Sequence, residues 1–316
     1  MTNAAEPFGV GVIGCSAASR FFCERLSLRT DLSLVARWVD LERTVDERWQ
    51  LTGVTSPQSF QYLMPFDVLK APEPRLVYFA AGAPLDWMVE ALARAKSILV
   101  EDPQSLTVEE LQRLAKIARD CHQVAAIYEP RRWDGDFLLA QSALKSGRLG
   151  ELRRLRYTVH DKCLPNETFS RGVARELGTP VLDQLLLLIE TSGLTTSTAT
   201  APIAWRHFPS AHDHSEGFVA SFEFAENISA IIEIQTRSLL GFRSGWMIEG
   251  TDGAYRNGRL YTRTADGEIV DEPLSPPPTS RDPFLDALVS SLRGRASDLP
   301  TVRDAVRVAT LLSDAP

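Results

Sequence analysis

The chain has 316 residues, enough for two domains with cores of their own, and its 44% hydrophobic and 24% charged residues are the balance of a soluble globular protein. A net charge of −7, with no basic run interleaved with aromatics, argues against nucleic acid as a partner. The first apolar stretch, Phe8 to Ile13, is too short for a signal-peptide core, and Val181 to Ile189 is broken by Asp183, so the expectation is a cytoplasmic protein without membrane association.

The first half alternates strand and helix. Val10 to Ile13 reads as a short buried strand, followed by a turn at Gly14 to Ser16 and a helix from Ala17 to Leu28. Leu32 to Val39 is a second strand ending at Asp40, and Leu41 to Gln50 is amphipathic and charged, hence helical. Leu76 to Ala81 is a buried strand, Leu85 to Lys96 a helix, Ile98 to Val100 a strand, and Thr107 to Cys121 a helix. Thr107 with Glu110 three residues on forms a capping-box pattern. Val124 to Tyr128 closes the half as a strand. Strands alternating with helices imply a parallel sheet.

The second half changes character. A helix over Phe137 to Ser146 leads to a strand, Leu152 to His160, and a helix, Thr179 to Glu190. Strands then dominate: Phe218 to Phe224, Ser229 to Thr236, Gly245 to Glu249 and Arg259 to Arg263, with turn signals at Asp252-Gly253 and Asp266-Gly267. That pattern predicts a largely antiparallel sheet. The Pro-rich stretch Leu274 to Asp282 reads as a linker to a last helix, Phe284 to Arg293. The predicted architecture is α/β: a Rossmann dinucleotide-binding domain over residues 1–130, then a helix-backed domain with an open, mostly antiparallel sheet over 131–316. The last helices are placed against the first domain.

Gly14-Cys15-Ser16-Ala17-Ala18-Ser19 sits between a strand and a helix, where a pyrophosphate meets a helix N-terminus. Of the G-x-G-x-x-G/A pattern only Gly14 is present. Ser16 and Ser19 stand at the other two places, and both are small. Asp40 can accept hydrogen bonds from both ribose hydroxyls, which favours NAD. Arg37 and Arg43 lie close enough in sequence to receive a 2′-phosphate, which favours NADP. The four cysteines, Cys15, Cys23, Cys121 and Cys163, lack C-x-x-C spacing and read as free thiols. His207, His212 and His214, with Asp213 and Glu216, fit no metal-ligand spacing and read as a solvated loop, so no metal site is predicted.

Several segments in order resemble the Gfo/Idh/MocA oxidoreductases. Ala91 to Pro103 (ALARAKSILVEDP) is similar to the family's A-L-x-A-G-K-H-V-x-x-E-K-P stretch, and the helix Leu106 to Ala118 continues it. Arg131-Arg132-Trp133, Ser146 to Gly150 and Gly250-Thr251-Asp252-Gly253 resemble the N-R-R-F, S-G-x-[IL]-G and G-T-[ED]-G segments. The closing helices match as well. The resemblance implies NAD or NADP, held by Gly14, Cys15, Ser16, Ala17, Ala18, Asp40, Ala81, Gly82, Glu101 and Asp102. It also implies a small-molecule substrate and a homodimer or higher homo-oligomer formed through the C-terminal sheet.

Departures from the family pattern fall on the reaction centre. The family's E-K-P lysine, which touches substrate and nicotinamide, is Asp102 here. In the motif G-x-x-x-x-D-x-G-x-H-x-x-D, Asp183 keeps the first aspartate, but Leu187 stands for the histidine and Glu190 for the last aspartate. The family's T-P-x-x-x-H turn is shortened to Gly82-Ala83-Pro84. Tyr128 and Glu129, ending the last strand of the first domain, are candidate replacement acids, though Tyr128 reads more readily as a packed aromatic. One reading is an NAD(P)-dependent oxidoreductase acting on an imine or carbonyl. Some likeness to thiazolinyl imine reductases favours the imine, because Asp102 or Asp183 would stabilise an iminium. The other reading is a member that has lost hydride transfer and serves as a cyclase, an isomerase or a binding or partner subunit.

Overall fold

The computed structural model describes residues 6–39, 60–62, 64–160, 177–194, 204–208, 217–236, 238, 242–275, 280 and 282–312. The chain divides into two compact units, Met1–Glu129 with Asp282–Val306, and Pro130–Arg281 with Arg307–Pro316.

The first unit is built on a six-stranded parallel sheet. Its strands are β1 (Phe8–Ile13), β2 (Leu32–Trp38), β3 (Phe60–Gln61), β4 (Leu76–Phe79), β5 (Ser97–Val100) and β6 (Ala125–Ile127), in the order β3-β2-β1-β4-β5-β6. Val10 of β1 lies beside Leu34 of β2 on one side and Leu76 of β4 on the other. β1, β4, β5 and β6 are buried along their whole length, which is why their sequences are continuous apolar runs without alternation. The helices between them are α1 (Ala17–Leu26), α2 (Pro65–Lys70), α3 (Leu85–Ala93) and α4 (Val108–Asp120). α4 buries Leu111, Leu114 and Ala118, and the Thr107–Glu110 capping box forms reciprocally, at 2.8 and 3.2 Å. The predicted helix over Leu41 to Gln50 lies outside the described residues.

A later helix, α7 (Pro283–Leu292), belongs to this unit and buries Phe284, Leu285, Leu288 and Val289. Asp282 caps it through the Leu285 N–H and also accepts from Arg25 of α1 at 2.6 Å. Arg29 donates to Asp286 at 2.6 Å. The N–H of Ile127 donates to the Pro300 carbonyl, and Ala126 bridges to Thr301, so the chain just before the last helix, α8 (Val302–Leu312), extends the β6 edge.

The second unit holds an eight-stranded sheet: β7 (Leu152–His160), β8 (Ala204–Phe208), β9 (Gly217–Phe224), β10 (Ile228–Gln235), β11 (Phe242–Gly250), β12 (Gly253–Arg256), β13 (Arg259–Arg263) and β14 (Ile269–Pro273). Their order is β14-β13-β12-β11-β7-β10-β9-β8, and every neighbouring pair is antiparallel except β7 with β10. Two helices, α5 (Gly135–Lys145) and α6 (Gly178–Thr191), pack with this sheet around Phe218, Phe222, Trp246 and Ile248. β10 alternates buried and half-buried residues, the pattern of a sheet with one covered face. Its other face carries polar pairs, with Glu233 accepting from Arg156 at 3.0 Å and hydrogen-bonded to His160 at 2.9 Å. The fold is therefore a Rossmann unit and an α/β unit with an open, mostly antiparallel sheet. β3, α2, β8, β12, β14 and α8 are additions to the elements the patterning marks, α8 following the helix over Phe284 to Arg293 that the patterning places last.

Candidate dinucleotide site

The order of the first sheet reverses between β1 and β4. In an open parallel sheet the crevice at the carboxyl ends of the strands on either side of such a reversal is where ligands bind. Most of the sequence candidates collect along that edge: Gly14 to Ala18 after β1, Ala81 and Gly82 after β4, Glu101 and Asp102 after β5, Tyr128 and Glu129 after β6.

Gly14 has φ +97°, and a Cβ there would stand 2.8 Å from the Ala80 Cβ. The backbone thus requires glycine for the approach of β4, whatever the turn binds. Ser16 is the N-cap of α1. Its hydroxyl accepts from the Ser19 N–H, and the Ser19 hydroxyl accepts from the Ser16 N–H, both at 2.8 Å. The two positions that depart from the glycine pattern are therefore the two halves of one capping box. Among the described residues, the first-turn amides this box leaves over are those of Ala17 and Ala18. Such amides, at the positive end of a helix, are what a phosphate binds.

The Ser16 hydroxyl also donates to Glu101 Oε2 at 2.7 Å, and the Tyr78 hydroxyl donates to the same oxygen at 2.7 Å. The Ala81 N–H adds a third bond to this carboxylate. Burial nevertheless outweighs these donors and raises the Glu101 carboxyl above its ordinary range. Tyr78 is fully buried, stacked on Phe22 at 4.6 Å, and its hydroxyl is pushed well above the usual phenol range by burial and by facing Glu101. A carboxyl whose pKa is raised on folding stabilises the fold fully below its unfolded pKa. That contribution fades as pH climbs through the raised value. Stability curves of wild type and Glu101→Gln, measured in urea across this range, should differ in slope, with the wild type losing ground to the variant as pH rises. Parallel curves would contradict the burial assigned to Glu101.

Asp102 is 7% exposed and starts a tight turn, its carbonyl accepting the Ser105 hydroxyl at 2.7 Å. Tyr128 packs edge-on against Tyr78, Phe22 and Phe284, with ring centroids 5.7, 5.8 and 5.0 Å away. Burial first, then the charge of Asp282, pushes its hydroxyl up to about 12, so it holds its proton at neutral pH. Glu129 is half-buried, and so is Cys15. Cys15, Cys23 and Cys121 are free thiols, and burial pushes Cys23 up to about 12. Arg37 is buried on β2, with its charge near Cys23. Asp40 and Arg43 lie outside the described residues, as do Cys163, His212, Asp213, His214 and Glu216. His207 is paired with Phe218 in the β8–β9 ladder. Among the described residues no group of three His, Cys, Asp or Glu could hold a metal ion, and no helix is long and apolar enough to cross a membrane.

Asp183 belongs to the second unit, on the apolar helix α6. Its two carboxylate oxygens accept from Arg132 Nε and a terminal guanidinium nitrogen, at 2.7 and 2.6 Å. Both residues are buried, at 3% and 7% exposure. Next to it, Gln184 donates to the Arg131 carbonyl at 2.7 Å and accepts from the Trp246 indole at 2.9 Å. Leu187 packs against the core, and Glu190 pairs with Arg307 at 2.6 Å. Sequence reasoning did not single out Tyr78, Ser19 or Arg132 as partners. A signal existed for each: a hydroxyl in a fully buried strand, a hydroxyl three residues after an N-cap, and an aspartate in a leucine run that needs a buried counter-charge.

No protein-family profile matches the chain. The curated relatives it matches include the uncharacterized oxidoreductase YdgJ of Escherichia coli strain K12, 27% identical over 190 residues, which are 57% of this chain and 53% of that protein. Another is the inositol 2-dehydrogenase of Rhizobium meliloti strain 1021, 25% identical over 171 residues, 53% of this chain and 52% of that protein. The matched region spans about half the length of these relatives. Among solved structures, an NAD-binding protein from Listeria innocua superposes with a TM-score of 0.80 at 18% identity, covering 96% of this chain and 92% of that one. This likeness agrees with the fold described above.

Proposed function

We propose that the chain is a nicotinamide-dinucleotide oxidoreductase of the Gfo/Idh/MocA type that reduces an imine or carbonyl of a small polar metabolite, with an imine preferred. The observation that carries this reading is the gathering of Gly14 to Ala18, Ala81–Gly82 and Glu101–Asp102 on adjacent carboxyl ends at the β1/β4 reversal. The names of the relatives, oxidoreductases and an inositol dehydrogenase, support it. The free Ala17 and Ala18 amides fit a pyrophosphate, and Ala81, Gly82, Glu101 and Asp102 would line the rest of the dinucleotide. The bound dinucleotide would supply the hydride. Asp102 would stand beside the reacting carbon, where an anion stabilises a cationic iminium and opposes the negative charge that builds on a reduced carbonyl oxygen. Self-association would use the polar face of the second sheet.

A second reading is a member without hydride transfer, a cyclase, an isomerase or a binding subunit. Two observations favour it. The Ser16 hydroxyl is already committed to Glu101 and Ser19, and Asp183 to Arg132. Titration with NADH and NADPH, followed by calorimetry and nicotinamide fluorescence, separates the two. The first reading expects micromolar binding of one dinucleotide and turnover of cyclic imines. It also expects Asp102→Asn to lower kcat by about 10²-fold. No binding at millimolar concentration would sink hydride transfer and leave the second reading.

A further inference from the structure

We propose that the first unit carries a second binding site, for a small organic anion of the phosphate-ester class, at the opposite end of its sheet. A cavity of about 470 Å³ opens between the end of α4, the start of β6, the end of α7 and the start of α8. It adjoins Val124 and Ala125 at the amino end of β6, so it is not part of the carboxyl-end site described above. Its volume is in the range of small-molecule sites.

The charge of this cavity is one-sided. Arg119, Arg295 and Arg303 line it together with His122, from three different helical ends, and no carboxylate is among the described lining residues. Such a cluster is conspicuous in a chain of net charge −7. The acids nearest in sequence are already committed. Asp120 is bound by Lys116 at 2.9 Å, and Asp304 accepts from the Thr301 N–H and hydroxyl at 2.8 and 2.9 Å. Like charges held together repel, and an anion between them relieves that repulsion while guanidinium forks grip two of its oxygens at once. Val302 and Arg303 are also the first residues of α8, whose positive end adds to the field. Ala118 and Ala125 give the cavity an apolar wall, which suits an organic body better than a bare inorganic ion.

The test uses the full chain, with glucose 6-phosphate, citrate and inorganic phosphate compared at matched ionic strength against sodium chloride, by thermal shift and calorimetry. Glucose 6-phosphate should raise the melting temperature and bind more tightly than inorganic phosphate. The triple variant R119A/R295A/R303A should bind it at least about tenfold more weakly, with its unliganded melting temperature not lowered, since all three side chains are exposed and their mutual repulsion is removed. No shift beyond chloride, or equal affinity in the variant, would overturn the site. Tighter binding of citrate, or equal binding of inorganic phosphate, would overturn the assignment to phosphate esters.

Discussion

Replacing Arg132 with methionine is expected to lower the unfolding free energy by about 3–5 kcal/mol, because it removes the guanidinium that holds both oxygens of the buried Asp183 carboxylate. The pair is bidentate and buried on both sides, so water cannot screen the charge left behind. Asp183→Leu should cost a similar amount, by removing the carboxylate that accepts from two of the buried guanidinium's nitrogens. The double variant R132M/D183L should recover much of the loss, since an apolar pair of similar size is often tolerated where an ion pair stood. Urea unfolding of the four proteins gives the coupling energy directly. Single variants each within about 0.5 kcal/mol of wild type would contradict the burial of the pair.

The same pair bears on the chemistry. For Asp183 to bind a substrate iminium it would have to give up a guanidinium held through two charge-assisted hydrogen bonds. A positioning role is the simpler assignment: the Asp183–Arg132 pair ties α6 to the turn at Pro130–Trp133, and Gln184 repeats the tie through the Arg131 carbonyl. That leaves Asp102 as the anion on which the proposed imine reduction depends. The second variant series, at Asp102, is then expected to move kcat without moving stability as far as the Arg132 series does.

Much of the fold is legible in the sequence. Continuous apolar runs such as LVYF and SILV, alternating with helical segments, suit strands of a parallel sheet covered on both faces, and ISAIIEIQ alternates as a one-sided strand does. The site was legible in position rather than in detail. Strand ends mark where a ligand belongs, so the turn at Gly14 can be placed from its spacing, whereas Gly82, Glu101 and Asp102 come from the resemblance to Gfo/Idh/MocA segments. What spacing does not carry is which polar groups satisfy one another. Ser16 reads as a weakened glycine, yet its hydroxyl serves the Ser19 amide and the Glu101 carboxylate at once. Asp183 reads as the motif's first aspartate, available to a substrate cation, yet the requirement that a buried charge be paired commits it to a residue 51 positions away. Long-range partners of this kind depend on how helices dock, and a one-dimensional pattern does not record that.

Gly14→Ala is expected to destabilise the protein by about 2–4 kcal/mol even with no ligand bound. Two costs combine. The backbone sits at φ +97°, where a side chain is strained, and the new methyl would lie 2.8 Å from the Ala80 Cβ, a rigid neighbour on a buried strand end. Gly82→Ala supplies the comparison. It too has positive φ, at +80°, but no atom lies within 4 Å of its would-be Cβ, so only the conformational cost of about 1 kcal/mol applies. Urea midpoints of the two variants therefore separate the approach of β4 from backbone strain. If dinucleotide binding is measured alongside, Gly14→Ala should lose affinity together with stability, because the same displacement moves the amides of Ala17 and Ala18. A Gly14→Ala protein as stable as Gly82→Ala would mean that β4 and the turn yield to each other. The glycine would then be there for a ligand and not for the sheet.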